Sequence, residues 1–131
     1  VIVQAFVSHL KDDAPLMALV NGIWPHFIPA GQDAPAVTYA VDSELFDQQL
    51  QGLGTYRRIV FDVNCFAESY EDALAIQAAV EAALVDYRGV LGNTSPEIFA
   101  DHIRIENRFP DDYELDTRLR RVAAQYLIGY T

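Results

Sequence analysis

Little in this chain is equipped to bridge, to bind metal or to cross a membrane. It has one cysteine, Cys65, which excludes an internal disulfide and any cysteine-based zinc site. Cys65 falls mid-strand among apolar neighbours, the usual setting of a buried structural thiol, and a reducing cytoplasm suits it. There is one lysine, Lys11, and only 9 basic side chains stand against 19 acidic ones, for a net charge of −10. Wrapping duplex DNA needs clustered Lys and Arg, so that class of function is excluded. No apolar run approaches the roughly 18 residues of a membrane span, so no membrane partner is expected. The N-terminal VIVQAFVSHL lacks the basic start and small-residue cleavage site of a signal peptide. Internal repeats, low-complexity tracts and domain linkers are absent.

What is present is an ordinary globular composition: 131 residues, 51% hydrophobic and 21% charged. That length fits a single domain over 1–131, able to bury about two thirds of the surface its unfolded chain exposes. Such a domain folds without a metal or a staple. The acid excess keeps it soluble by self-repulsion, and it also suits a surface that DNA passes without sticking.

Periodicity sets the elements. Ile2, Ala5, Phe6, His9 and Leu10 share one stripe of a helix running to Asp12. Pro15 to Val20 reads as a second short helix, capped by Asp13 or Ala14 and ended at Asn21-Gly22. Ile23 to Ile28 reads as extended, held at a sheet edge by Pro25. Ala36 to Asp42 alternates, with Val37, Tyr39 and Val41 on one face. Ser43 to Gly54 has no clean period and reads as a long loop or flexible hairpin arm. Tyr56 to Ala67 is the clearest strand, with Ile59, Phe61, Val63, Cys65 and Ala67 on one face. Ser69 with Asp72 forms a capping pattern. The helix behind it carries Ala73, Ile76, Val80, Ala83, Leu84 and Tyr87 in a stripe and stops at Gly89. Ile98 to Phe109 is a strand with Phe99, Ile103 and Ile105 on one face, and Pro110 to Asp116 an acidic turn. Leu119 to Tyr130 is the last strand. The sum is an α+β fold: a mostly antiparallel or mixed sheet of four to five strands, with two to three helices on one face.

Reactive residues do not gather into a motif. His9, His26 and His102 have no metal-ligand spacing. Cys65 has no local signature of a nucleophile. Asp111-Asp112-Tyr113-Glu114-Leu115-Asp116 lacks the central Gly and terminal Glu of a calcium loop, which favours a solvated turn. Gly52-Leu53-Gly54 precedes a strand rather than a helix, so it cannot form a phosphate cradle. No catalytic residue, metal ligand or cofactor is assigned.

Two groups remain as candidate contacts. Arg57 and Arg58 open the central strand, and Arg118, Arg120 and Arg121 open the last one. Side by side, those strands would gather arginines at one end of the sheet. They are either solvated strand ends or a subunit interface whose guanidinium forks meet a neighbour's carboxylates. The segment Ser43 to Gly54 carries Leu45, Phe46, Gln48, Gln49, Leu50 and Leu53. A solvated hairpin has little use for so many apolar residues. They either fold back onto the core or touch another protein.

The run from Gly22 to Glu81 is the most specific in the chain. A Pro-rich approach leads to the strand Ala36 to Val41, and the turn Gly52 to Gly54 follows. Then comes Phe61-Asp62-Val63-Asn64-Cys65-Phe66-Ala67-Glu68-Ser69-Tyr70, passing into an Ala-rich helix. With the arginine-led C-terminal strand, this order resembles the tail-completion, or tail terminator, family of long-tailed bacteriophages. The resemblance covers roughly Leu16 to Tyr130, with Phe66 where the family often has Trp. It implies a structural virion protein, not an enzyme. Such a protein assembles in the host cytoplasm into a homo-oligomeric ring, usually a hexamer, at the tail–neck junction. The ring's partners would be itself, the tail tube protein and the head–tail connector or stopper, with DNA passing through the lumen without specific binding. Under this reading the five arginines serve the subunit interface, and Leu45 to Leu53 touch the tail tube or a neighbouring subunit. The residues alone leave another reading open: a small cytosolic enzyme or ligand-binding domain with an unrecognised site.

Overall fold

A computed structural model describes residues 1–49, 52–114 and 119–131. The elements are α1 (Ile2–Lys11), α2 (Ala14–Met17), β1 (Ile23–Pro25), β2 (Ala36–Gln49), β3 (Gly52–Ala67), α3 (Tyr70–Leu84), β4 (Gly89–Val90), β5 (Phe99–Glu114) and β6 (Leu119–Tyr130). The strands form one 6-stranded sheet in the order β1-β2-β3-β6-β5-β4. Only the β1–β2 pair is parallel; the other pairs are antiparallel. The α+β class is therefore as expected, with more strands than the four to five read from the sequence. The strand not read from the sequence is the short edge piece β4, too brief to leave a periodic signal.

One core holds the molecule together. Ile59, Phe61, Val63, Cys65 and Ala67 of β3 pack with Val122, Ala124, Tyr126, Ile128 and Tyr130 of β6. This is the alternation both strands show in sequence. Against that face lie Ala73, Ile76, Val80 and Leu84 of α3, Ala5, Phe6 and Leu10 of α1, and Leu16 of α2. The Phe6 ring stacks on the Phe61 ring at 3.9 Å between centroids. Two helices start on side-chain caps: Asp13 accepts from the Leu16 N–H at 3.1 Å, and Ser69 from the Asp72 N–H at 3.2 Å. A third contact satisfies a helix end from outside, where His9 Nε2 donates to the Ala83 carbonyl in the last turn of α3 at 2.8 Å.

Several boundaries differ from the sequence reading, each for a local reason. Of the two readings of this segment, loop or hairpin arm, the hairpin holds: Ser43 to Gln49 and Gly52 to Gly54 belong to the distal parts of β2 and β3, paired from Ser43↔Val60 to Gln49↔Gly52. A register shift between Val41 and Ser43 inserts one extra residue in β2, and one between Phe46 and Gln48 sets one residue of β2 against three of β3. The one-residue insertion moves the following side chains of β2 to the other face, so no single period runs through β2 in the sequence. The same device corrects β5. A shift between Ala100 and His102 places Ala100, not Phe99, in the core with Ile103. The acidic stretch is not a turn as far as Glu114, because β5 runs to that residue; Leu115 and Asp116 lie outside the described residues. α3 ends at Leu84 rather than near Gly89, so Tyr87 is not on its stripe. There Val85 turns extended, and Asp86 takes φ +64 while its N–H bonds to the Ile103 carbonyl. Asp tolerates that left-handed conformation better than most residues. α2 stops at Met17, short of Val20, and β1 stops at Pro25, short of Ile28.

Candidate functional site

The β2–β3 hairpin outruns the sheet. Its last row shared with β6 is Arg57↔Tyr130, and β3 begins five residues earlier at Gly52. At about 3.4 Å per residue, the arm projects about 17 Å past β6. The candidate residues Phe46, Gln48, Gln49 and Leu53 lie in its paired part, with Phe46↔Arg57 and Gln48↔Leu53 in register. Leu50 lies outside the described residues. Leu45, at the root of the arm, is 42% exposed and does not fold back onto the core. Around that root, Glu44, Arg57 and Tyr130 cluster. Burial first and the Glu44 carboxylate second push the Tyr130 hydroxyl up from its ordinary value, while Arg57 pulls the other way.

The arginines do not gather at one end. β3 and β6 are neighbours, as expected, but antiparallel, so Arg58 faces Gly129 while Arg121 faces Phe66. Those rows are eight residues apart along β3, or about 27 Å. Alternation also splits each pair between faces. Arg57 and Arg120 sit on the helix side in the rows of Tyr130 and Ala67, and Arg58 and Arg121 on the open side. Arg118 lies outside the described residues. Each of Arg57, Arg58, Arg120 and Arg121 already engages other groups of this chain.

The open face carries a polar row across three strands. Gln125 donates to Asp62 at 2.8 Å and accepts from Asn107 at 2.9 Å. Above it a pocket of about 270 Å³ is lined by His26, Phe27, Ile28, Asn64, Phe66, Leu119 and Arg121. On the other face, a groove of about 460 Å³ runs between Val3, Val7 and Lys11 of α1 and Tyr39 of β2. Two exposed aromatics were not singled out from the sequence, Phe27 at 70% and Phe109 at 46%. The available signal was each one's place beside a proline or a polar turn, where a core aromatic is out of position.

Both long edges of the sheet are partly covered, and beyond β4 the Asp86 N–H bonds the Ile103 carbonyl of β5. β1 covers β2 only from Val37 to Tyr39, and β4 covers β5 only at Phe99 and Ala100. Among the described residues, β2 from Ala40 onward and β5 from Asp101 onward have no strand on their outer side.

The reactive side chains are dispersed. His9 is on α1, His26 follows β1 with φ +63, and His102 is on β5. Cys65 is buried, and burial first, then Glu81, push its thiol up to about 12. That is the reverse of the depressed value a nucleophilic cysteine needs. Among the described residues no three His, Cys, Asp or Glu side chains gather to hold a metal.

Comparison with known proteins fits this geometry. No curated protein matches the chain. A chain in the solved virion of a native gene transfer agent particle shares its fold, with a TM-score of 0.72 and 22% identity over 98% of this chain and 93% of that one. The tail completion protein gp17 family matches residues 4–131. The chain belongs to that family, whose members are structural proteins of phage tails.

Proposed function

We propose that copies of this chain close into a six-fold ring that caps the finished tail tube and joins it to the head connector. The observation that carries this reading is the family match over residues 4–131, nearly the whole chain. The β2–β3 arm supports it, because a projecting hairpin gives a ring a reach toward the tube or the next subunit. The domain is one of shape and surface, with binding energy from buried apolar contacts and register from charged pairs. Arg57, Arg58, Arg120 and Arg121, with Arg118, serve the subunit interface at two levels of the ring rather than one. Leu45 and its neighbours on the arm touch the tail tube or an adjacent subunit. A net charge of −10 lets DNA pass the lumen without specific binding. The ring sits at the tail–neck junction of the virion and is built in the host cytoplasm.

The test is particle assembly with and without the chain. Without it, tails should fail to join heads, and added purified chain should restore joining. Imaging of restored particles should show one closed ring at the neck end of the tube. Normal joining in its absence, or a single copy per neck, defeats the proposal.

A further inference from the structure

We infer that the end of the domain remote from the β2–β3 arm is a docking groove for a basic, apolar-flanked segment of another protein of the particle. The inference stands on the groove itself and does not need the six-fold closure proposed above.

β3 ends at Ala67, ten residues or about 34 Å beyond the Arg57 row at the root of the arm. Past that end, two cavities of about 300 and 670 Å³ lie side by side and share Glu68 in their walls. The first runs between α2 and α3 over Leu19, Ala67, Ala75 and Ile76. The second runs from Ala34 to Ile28 and Leu119. Pro35 of the first follows Ala34 of the second in the chain, so the two form one groove. Its wall is fixed by Asn21, just after α2. Asn21 Nδ2 donates to the Asp33 and Ala34 carbonyls at 3.1 and 3.3 Å, and the Asn21 N–H donates to the Pro35 carbonyl at 2.8 Å. The loop before β2 is thereby tied to α2, and the groove is largely pre-formed. Leu19 is 41% exposed, and Tyr70 and Leu74 are exposed on the same two turns of α3 that carry Asp72 and Ala75.

Charge identifies the occupant. Among the described residues that line the groove, Asp33, Glu68 and Asp72 are exposed acids, and there is no Lys, Arg or His. None of these three carboxylates has an ion-pair partner among the described residues. Arg120 in the Ala67 row and Arg121 in the Phe66 row are close by register, but they do not line the groove and already engage other groups. The dipole of α3 accounts for Asp72 in its first turn, whereas Glu68 and Asp33 lie outside the helix. Nor do the acids converge on a point, since among the described residues no three such side chains gather to hold a metal. Carboxylates spaced along an apolar groove require an extended occupant, with bases set between apolar side chains. A second copy is poorly supplied with such a segment. The chain has 9 bases against 19 acids, and Arg57, Arg58, Arg120 and Arg121 are built into its two central strands. The occupant is therefore a different protein. With the arm toward the tube, the groove faces the head side of the neck.

The first probe is a short peptide of alternating Arg and Leu, added to the purified chain and followed by amide chemical shifts. Shifts should concentrate at 18–19, 33–35, 67–68 and 72–76. The affinity should exceed that of an Arg–Ser peptide of the same length by about tenfold or more, because the floor is apolar. Glu68→Gln with Asp72→Asn should lower it about fivefold or more. Glu97→Gln with Asp12→Asn, the same charge change at exposed sites elsewhere, should leave it within about twofold. Equal affinity for the two peptides, shifts spread over the whole surface, or equal loss in both variant pairs overturns the proposal. The second probe is Ala75→Cys labelled with a benzophenone maleimide; the native Cys65 is buried and stays unlabelled. In completed tails it should crosslink to an Arg- or Lys-rich segment of another protein. A crosslink to this chain, one to a segment without bases, or none overturns the proposal and leaves tail completion standing. Absence of the chain from completed particles defeats the tail-completion reading, and the peptide data then decide the groove by themselves.

Discussion

Phe6 is the residue through which α1 holds the sheet, and its loss should be felt across the domain. The helix meets the core through Ala5, Phe6 and Leu10, all 0% exposed. The Phe6 ring lies against Phe61 at 3.9 Å and 6°, with the Tyr39 ring edge-on at 6.3 Å. Truncating a buried Phe to Ala costs about 3–5 kcal/mol. Against a typical total of about 5–15 kcal/mol, Phe6→Ala removes a large share. At about 4 °C per kcal/mol for a domain of this size, Tm should fall by about 12–20 °C. Phe6→Leu keeps most of the volume and should cost about 1.5 kcal/mol or less. Beyond the area it buries, a stacked aromatic pair is worth about 0.5–1.5 kcal/mol, so the ring–ring coupling should fall in that range. A double-mutant cycle of Phe6→Leu with Phe61→Leu isolates it. Urea unfolding is the assay, with the midpoint falling at constant m. A loss below about 1 kcal/mol for Phe6→Ala would mean that α1 is not anchored through this ring, and would refute the packing argument.

Three further outcomes follow from the same structure. Arg108 holds both Glu81 oxygens, at 2.9 and 2.8 Å, tying β5 to α3, but the Arg108 side chain is 59% exposed. After solvent screening, Glu81→Gln should cost about 0.5–1 kcal/mol, and the difference should shrink in 1 M salt; a loss independent of salt speaks against an ion pair. Cys65 keeps its proton to about pH 12 when folded, whereas the unfolded chain releases it near the ordinary 9.0. Its contribution is therefore complete below about pH 9 and is lost as pH rises toward 12, at up to about 1.4 kcal/mol per pH unit. Thermal melts from pH 8 to 10 should show this decline flattened in Cys65→Val; an identical slope in the variant would show that another group carries it. Finally, replacing Asp47 to Tyr56 with a short turn should leave the melting transition near that of the parent, because β6 reaches only the row of Phe46 and Arg57. The shortened chain should fail to complete tails, and loss of folding would instead show that the arm supports the core.

Local signals fixed whatever depends on neighbours in sequence. Alternation over Ile59 to Ala67 and Val122 to Tyr130 was enough to name the core face of both central strands, because side chains on a strand repeat every two residues. The Ser69 cap, the α3 stripe as far as Leu84 and the α+β class were legible in the same way, and the order of motifs indicated the family. Partnering is not a local property. Whether Ser43 to Gly54 is loop or paired strand depends on backbone bonds across the hairpin, and the extra residues at its bulges erase the period that would have announced it. The arginines show the limit most clearly. Their positions at the two strand starts were plain, but only the antiparallel β3–β6 register placed them about 27 Å apart and on alternating faces. The partial cover on the outer sides of β2 and β5 belongs to the same class of fact: which segments arrive at an edge is decided by the tertiary fold.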